Sequence, residues 1–182
     1  SREGLVVDAD ELIESMNTKA KIISESLGKI NDLSVSEQSK LYEQVSLAAL
    51  KYHILKVDPK KSILFDPNES IDFNGNTGPF IQYTYARIQS ILRKNTYVLQ
   101  GVQIDSSISF EGIEKELIKN LNQFPETIAL AANQYSPALV ANYTYQLVKT
   151  FNSFYQQLSI LGEEDERKRA FRLILAHNTA QV

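Results

Sequence analysis

The chain contains no cysteine. Disulfides, thiolate metal sites and cysteine nucleophiles are therefore excluded together. Histidine is almost as scarce, with only His53 and His177, so a histidine-rich metal site is not expected. No apolar run approaches the roughly 20 residues that a bilayer span requires. The opening residues, Ser1-Arg2-Glu3-Gly4, carry neither an initiator methionine nor the apolar run of a secretion signal, which suggests a segment of a longer polypeptide. Surplus positive charge is also missing. With 19 Lys and Arg against 22 Asp and Glu, the net charge is −3, which does not suit a protein that coats nucleic acid by bulk electrostatics. It leaves room for a local basic patch. Lys51, Lys56, Lys60, Lys61, Arg87, Arg93 and Lys94 fall in one region of sequence, and solvated surface charge is the simplest account of them.

What the chain does contain is enough apolar residue for a core. Its 182 residues are 43% hydrophobic and 23% charged, which fits one soluble domain, or one domain with a short extra segment. The pattern is helical. Asp8 with Glu11 forms a capping-box signal, and Leu12, Met16, Ala20, Ile23 and Leu27 keep helical spacing until Gly28. Ser34 with Glu37 repeats the signal ahead of Leu41, Val45, Ala48, Tyr52 and Leu55. That helix should stop before Asp58-Pro59, because the residue before proline avoids helical backbone angles. Residues 62–66 read as a short extended piece. Gly78 as N-cap and Pro79 at the first helical position predict a third helix to about Lys94, burying Ile81, Tyr85, Ile88 and Leu92.

Residues 95–108 read as a polar connection, and the remainder as a helical bundle. Segments near 109–123, 125–134, 137–158 and 164–182 are separated by Pro125, Pro137 and Gly162. Leu139, Tyr143, Leu147, Phe151, Phe154 and Leu158 form one continuous apolar stripe, best explained by core packing. Glu163, Glu164, Asp165 and Glu166 suit the positive end of the last helix dipole. Arg167, Lys168 and Arg169 should pair with Glu163, Glu164 and Asp165 at i, i+4, for about 0.3–0.5 kcal/mol each. No complete active site is visible. His53 lies mid-helix without a serine elbow, His177 lies near the chain end, and Asp8 with Asp10 are capping residues first. Neither a Walker phosphate loop nor a dinucleotide fingerprint occurs.

The informative stretch is Asp72–Arg87. A polar loop with two glycines, Gly75-Asn76-Thr77-Gly78, runs into a proline-started helix that carries Phe80, Tyr83 and Arg87 at i, i+3 and i+7. That spacing puts two rings and a guanidinium on one helical face. On a surface this is a platform for bases with a clamp for phosphate. In a core, the arginine would need a partner.

Phe73-Asn74-Gly75-Asn76-Thr77-Gly78-Pro79, followed by Gln82-Tyr83 and Ala86-Arg87, resembles the C-terminal part of the arginyl-tRNA synthetases. Ser1–Gly4, Ala49–Tyr52, Ile63–Asp66, Tyr143–Leu147, Phe151–Tyr155 and Arg172-Leu173 continue the similarity in order along essentially the whole chain. The resemblance implies an all-α helical bundle with a short connecting stem, residues 1–66 being the stem and residues 67–182 the anticodon-binding domain. It implies a class I ligase that joins arginine to its tRNA using ATP and magnesium, acting as a cytoplasmic monomer. Ser1 and Arg2 resemble the tail of the ATP-contacting loop, whose remainder would lie upstream with the catalytic domain. The family also continues past Val182 with a glycine-rich segment. The chain itself is thus expected to be inactive in aminoacylation and to bind neither ATP nor magnesium. Asn76, Thr77, Gly78, Phe80, Tyr83 and Arg87 are the residues the resemblance brings to the tRNA. Position 80 is often tyrosine in the family; the phenylalanine here keeps a stacking ring and loses the hydroxyl's hydrogen bond.

Two other readings compete. Composition and acidic pI alone favour a non-catalytic helical protein-interaction module. A hydrolase using His53 would require a serine and a carboxylate to converge on that imidazole.

Overall fold

The computed structural model describes residues 8–26, 28, 30, 32–95 and 108–182. Among the described residues the regular structure is eight α-helices and no strand, the expected all-α class. No helix among them is long and apolar enough to cross a membrane. The chain divides into two packing units, residues 1–82 and 83–182, with the division inside the fourth helix. Most of the connection expected over 95–108, and Leu27 of the first apolar stripe, lie outside the described residues.

The first unit is built on α1 (Ala9–Ser26) packed against α2 (Val35–Leu55). The Asp8 carboxylate accepts from the Asp10 N–H at 2.8 Å to open α1. Gly28, with φ of 67°, closes it in a conformation that side-chain-bearing residues rarely adopt. Both halves of the Ser34/Glu37 capping box form at the start of α2. Met16 and Ala20 meet Val45, Ala49 and Ile71 in a small core. The segment 62–66 pairs in no strand. Instead Asp66 caps a single helical turn, α3 (Pro67–Ser70), accepting from the Asn68 and Glu69 N–H groups. Its Asp-Pro signature is an N-cap followed by proline at N1, and it was open to reading in the sequence.

The loop into α4 (Gly78–Lys94) is cinched by Thr77. Its hydroxyl donates to the Asp72 carbonyl and accepts from the Phe80 N–H at 3.3 Å. Thr77 therefore fills the N-cap role expected of Gly78, which moves one place into the helix. Gly78 is needed for a different reason. A Cβ there would lie 2.3 Å from the Ala48 carbonyl oxygen and 2.6 Å from its carbon, so α4 starts directly against the backbone of α2.

The second unit contains the rest of α4, α5 (Gly112–Asn122), α6 (Phe124–Gln134), α7 (Pro137–Gln157) and α8 (Glu166–Gln181). The predicted stripe of α7 is its centre: Leu147, Phe151 and Phe154 are buried, and Tyr143 and Leu158 pack at the margin. The buried face of α4 differs from expectation. Thr84, Ile88 and Ile91 are buried, whereas Tyr85 is 52% exposed. Periodicity favours an apolar residue at every inward position; here the inward threonine is tolerated because its hydroxyl accepts a hydrogen bond from Asn152 Nδ2 at 2.8 Å.

The acidic entry to α8 also departs from the i, i+4 scheme. Asp165 caps the helix and pairs with Arg167 at 3.1 Å, and Arg169 pairs with Glu166. Glu163 reaches Arg172 at 2.5 Å. Arg172 is buried, donating Nε to Glu114 at 2.7 Å and Nη1 to the Ser159 carbonyl at 2.7 Å. The second Glu114 oxygen accepts from the Glu111 N–H at 2.7 Å. This cluster joins α5, α8 and the turn before α8. The Asp165 N–H and the Arg172 guanidinium hold the Glu163 carboxyl below its ordinary value.

Three outcomes follow from this packing. Gly78→Ala should lower stability by about 1–3 kcal/mol in urea unfolding, because backbone must move to admit the methyl group. Glu114→Ala should cost about 3–5 kcal/mol by the same measurement, since it leaves Arg172 buried with half its pairing gone. Because the Glu163 pKa is depressed on folding, its contribution is present above the unfolded value near 4.5 and is lost as pH falls through the folded one. Thermal midpoints should therefore drop on acidification below that value, and Glu163→Gln should flatten the drop.

Candidate nucleic-acid interface

The loop residues Asn76, Thr77 and Gly78, with Phe80, belong to the first unit. Asn76 is held from both ends: its side-chain oxygen accepts from Tyr52 Oη at 2.6 Å, and its carbonyl accepts from Lys56 Nζ at 2.9 Å. Thr77 and Gly78 are buried in the cap and the helix contact described above, while Phe80 is half-buried. The loop is therefore tied by hydrogen bonds at Asn76 and Thr77, with the side chain of Thr77 turned to its own backbone. Lys56 serves the loop, whereas Lys51, Lys60 and Lys61 are exposed.

Tyr83 and Arg87 belong to the second unit, one helical turn apart on α4. The Arg87 guanidinium carbon lies 5.0 Å from the centroid of the Tyr83 ring. It lies equally 5.0 Å from the ring of Tyr155, which projects from α7 and is 42% exposed. Nη1 donates to Oδ1 of Asn152, one turn before Tyr155 on α7. Among the described residues Arg87 has no carboxylate partner and no further hydrogen bond, so Nε and Nη2 remain available as donors. Two rings and an amide hold the cation without neutralising it. Such an arrangement can engage a phosphate or the acceptor edge of a base through the guanidinium, and unpaired bases through the rings.

Asn152 and Tyr155 were not singled out in the sequence. The available signal was a polar Asn152 directly beside Phe151 in an otherwise apolar stripe, which demands a partner once buried. Ser1 and Arg2 lie outside the described residues. His53 does not support a hydrolytic site. It is buried, its Nε2–H donates to the Leu64 carbonyl at 3.2 Å, and its ring stands edge-on to Phe65. Its Nδ1 has no hydrogen-bond partner among the described residues, so neither a serine nor a carboxylate is bonded to the ring. No cluster of metal-ligating side chains occurs among them either.

Residues 81–182, which include this arrangement on α4 and α7, match the family described as the DALR anticodon binding domain. The whole chain is 57% identical to part of an arginine–tRNA ligase from Flavobacterium psychrophilum, of which it covers 30%. It is 50% identical to part of the arginine–tRNA ligase from Bacteroides thetaiotaomicron, of which it covers 31%. The chain thus spans about three-tenths of the length of these curated relatives. Among solved structures, it resembles the arginyl-tRNA synthetase of Thermus thermophilus with a TM-score of 0.85 and 29% identity, over 97% of this chain and 30% of that one. The arginyl-tRNA synthetase of Plasmodium falciparum is similar with a TM-score of 0.81 and 25% identity, over 97% of this chain and 31% of that one. With the match covering more than half of its residues, the chain belongs to the DALR anticodon binding domain family.

Proposed function

We propose that this chain is the tRNA-binding portion of an arginine–tRNA ligase and recognises the anticodon region of arginine tRNA. The observation that carries the reading is the un-neutralised Arg87 held between Tyr83 and Tyr155 in a chain of this family. Unpaired anticodon-loop bases offer the faces that rings can stack on, at about 1–3 kcal/mol per base, and the adjoining phosphates offer acceptors for the guanidinium. Asn76, Thr77, Gly78 and Phe80 enter the same reading as the loop and helix start presented to RNA. Thr77 and Gly78 do so through the shape they impose on the backbone, given their burial.

In this reading residues 1–66 serve as the stem toward a catalytic domain, and residues 67–182 as the RNA-binding part. That is a division of role, separate from the packing boundary inside α4. The parent ligase would use ATP and magnesium in the cytoplasm. The contribution of this chain, in the same reading, is binding and orientation of tRNA. A protein-interaction module is the competing reading, favoured by the net charge of −3.

A salt-dependent binding titration against arginine tRNA and an anticodon-swapped control separates the two. The arginine tRNA should bind more tightly; equal affinity for both would sink the anticodon reading. Arg87→Ala should weaken binding and reduce the salt slope by about one phosphate contact. Tyr83→Ala should weaken binding by about 1–3 kcal/mol with little change in slope.

A further inference from the structure

We propose that Asn152, braced by Thr84, is the positioning residue of this RNA contact: it fixes the Arg87 guanidinium so that Nε and Nη2 are presented to a phosphate. The inference rests on the functional reading above and goes beyond it by assigning a role to a side chain that does not itself touch RNA.

The geometry of the amide carries the argument. Asn152 is 8% exposed and has four hydrogen-bonding valences to satisfy. Its Nδ2 donates to Thr84 Oγ1 at 2.8 Å and to the Val148 carbonyl at 2.9 Å. Both donors are thereby committed to acceptors, one on each helix. If the amide turned over it would set its oxygen against the Val148 carbonyl and its NH2 against the guanidinium, so Oδ1 must face Arg87. Thr84, fully buried, sits one turn before Ile88 on the inward face of α4, and its hydroxyl is the acceptor that braces the amide from the second helix. The chain of bonds therefore runs from the packed α4–α7 contact to a half-buried cation. It secures one end of a side chain that otherwise has many rotamers.

This has a definite energetic meaning. A free arginine must be ordered when RNA binds, and ordering one rotamer-rich side chain weakens association by about three- to ten-fold. Asn152 completes that ordering in the unbound protein. It brings no charge of its own, so it leaves the number of neutralised phosphates unchanged. The salt slope and the affinity should consequently respond to different residues.

The test uses the 182-residue chain, an arginine tRNA transcript, and four substitutions checked for folding by circular dichroism. Asn152→Ala should weaken binding about three- to ten-fold with the wild-type salt slope. The same change made on Arg87→Ala should have no further effect, because its action passes through Arg87. Should Asn152→Ala fail to fold, Thr84→Val removes the bracing acceptor with little change of volume and should weaken binding in the same way, while Thr84→Ser should restore it. A loss from Asn152→Ala that adds fully to that of Arg87→Ala would overturn the positioning role, and so would wild-type affinity in Thr84→Val. If the wild-type chain does not distinguish arginine tRNA from the swapped control, the functional reading fails first. If it does, and Arg87→Ala weakens binding while Asn152→Ala and Thr84→Val do not, only the positioning role fails.

Discussion

Burial of one stripe of α7 is the constraint on which the second unit depends. Leu147, Phe151 and Phe154 are each at most 2% exposed, and burying a side chain of that size contributes about 1.5–3 kcal/mol. Helices α5, α6 and α8 all pack on α7, so they share that driving force. A stripe this apolar accepts Asn152 only because both amide donors and the amide oxygen are hydrogen-bonded; left unsatisfied, the group would cost about 1–3 kcal/mol. Satisfying it took Thr84 from α4 and Arg87 from the surface. Core packing and the placement of the half-buried cation are therefore two consequences of one buried amide.

The two structurally important arginines of this unit show how surroundings divide a single residue type between roles. Arg172 is 4% exposed and meets two carboxylates and a carbonyl. Removing a cation from water to that extent is unfavourable, and only several charge-assisted bonds offset it. Arg87 keeps part of its surface in solvent and needs no such compensation. Its neighbours are rings, which attract the cation through their π faces and leave its formal charge intact. The first arginine is consumed by the fold, and the second remains open to a ligand.

Local signals in the sequence were reliable where one or two residues decide the backbone. The Ser34/Glu37 box, Gly28 and Pro137 each mark a helix end that the structure has within a residue or two. The α7 stripe was equally plain, because six apolar residues at helical spacing have few alternatives. The phase of α4 was not plain. Reading hydrophobicity alone turned Tyr85 inward, whereas the inward position belongs to Thr84, made compatible by a residue on another helix. The Glu114–Arg172 pair is hidden for the same reason: its members are 58 positions apart. Among the candidate site residues, Tyr83 with Arg87 was legible because both lie on one helix. Tyr155 comes from α7, and periodicity within α4 carries no information about it. Gly78 was noticed as a turn residue, while its actual reason, the approach to Ala48, requires two helices to be in place.

Under the proposed reading, the acidic character of the chain has a use. A protein with net charge −3 gains little from indiscriminate attraction to phosphate. A cation flanked by two rings then supplies attraction at a chosen point. Stacking depends weakly on salt and requires an unpaired base, whereas phosphate attraction is available from any duplex. Placing both at one point makes the favourable term conditional on a single-stranded loop. The absence of a net positive charge weakens the alternatives that a basic protein would have offered. Selectivity in such a design comes from pairing stacking with an ordered cation on a chain without net positive charge, and in the proposal above Asn152 imposes that order.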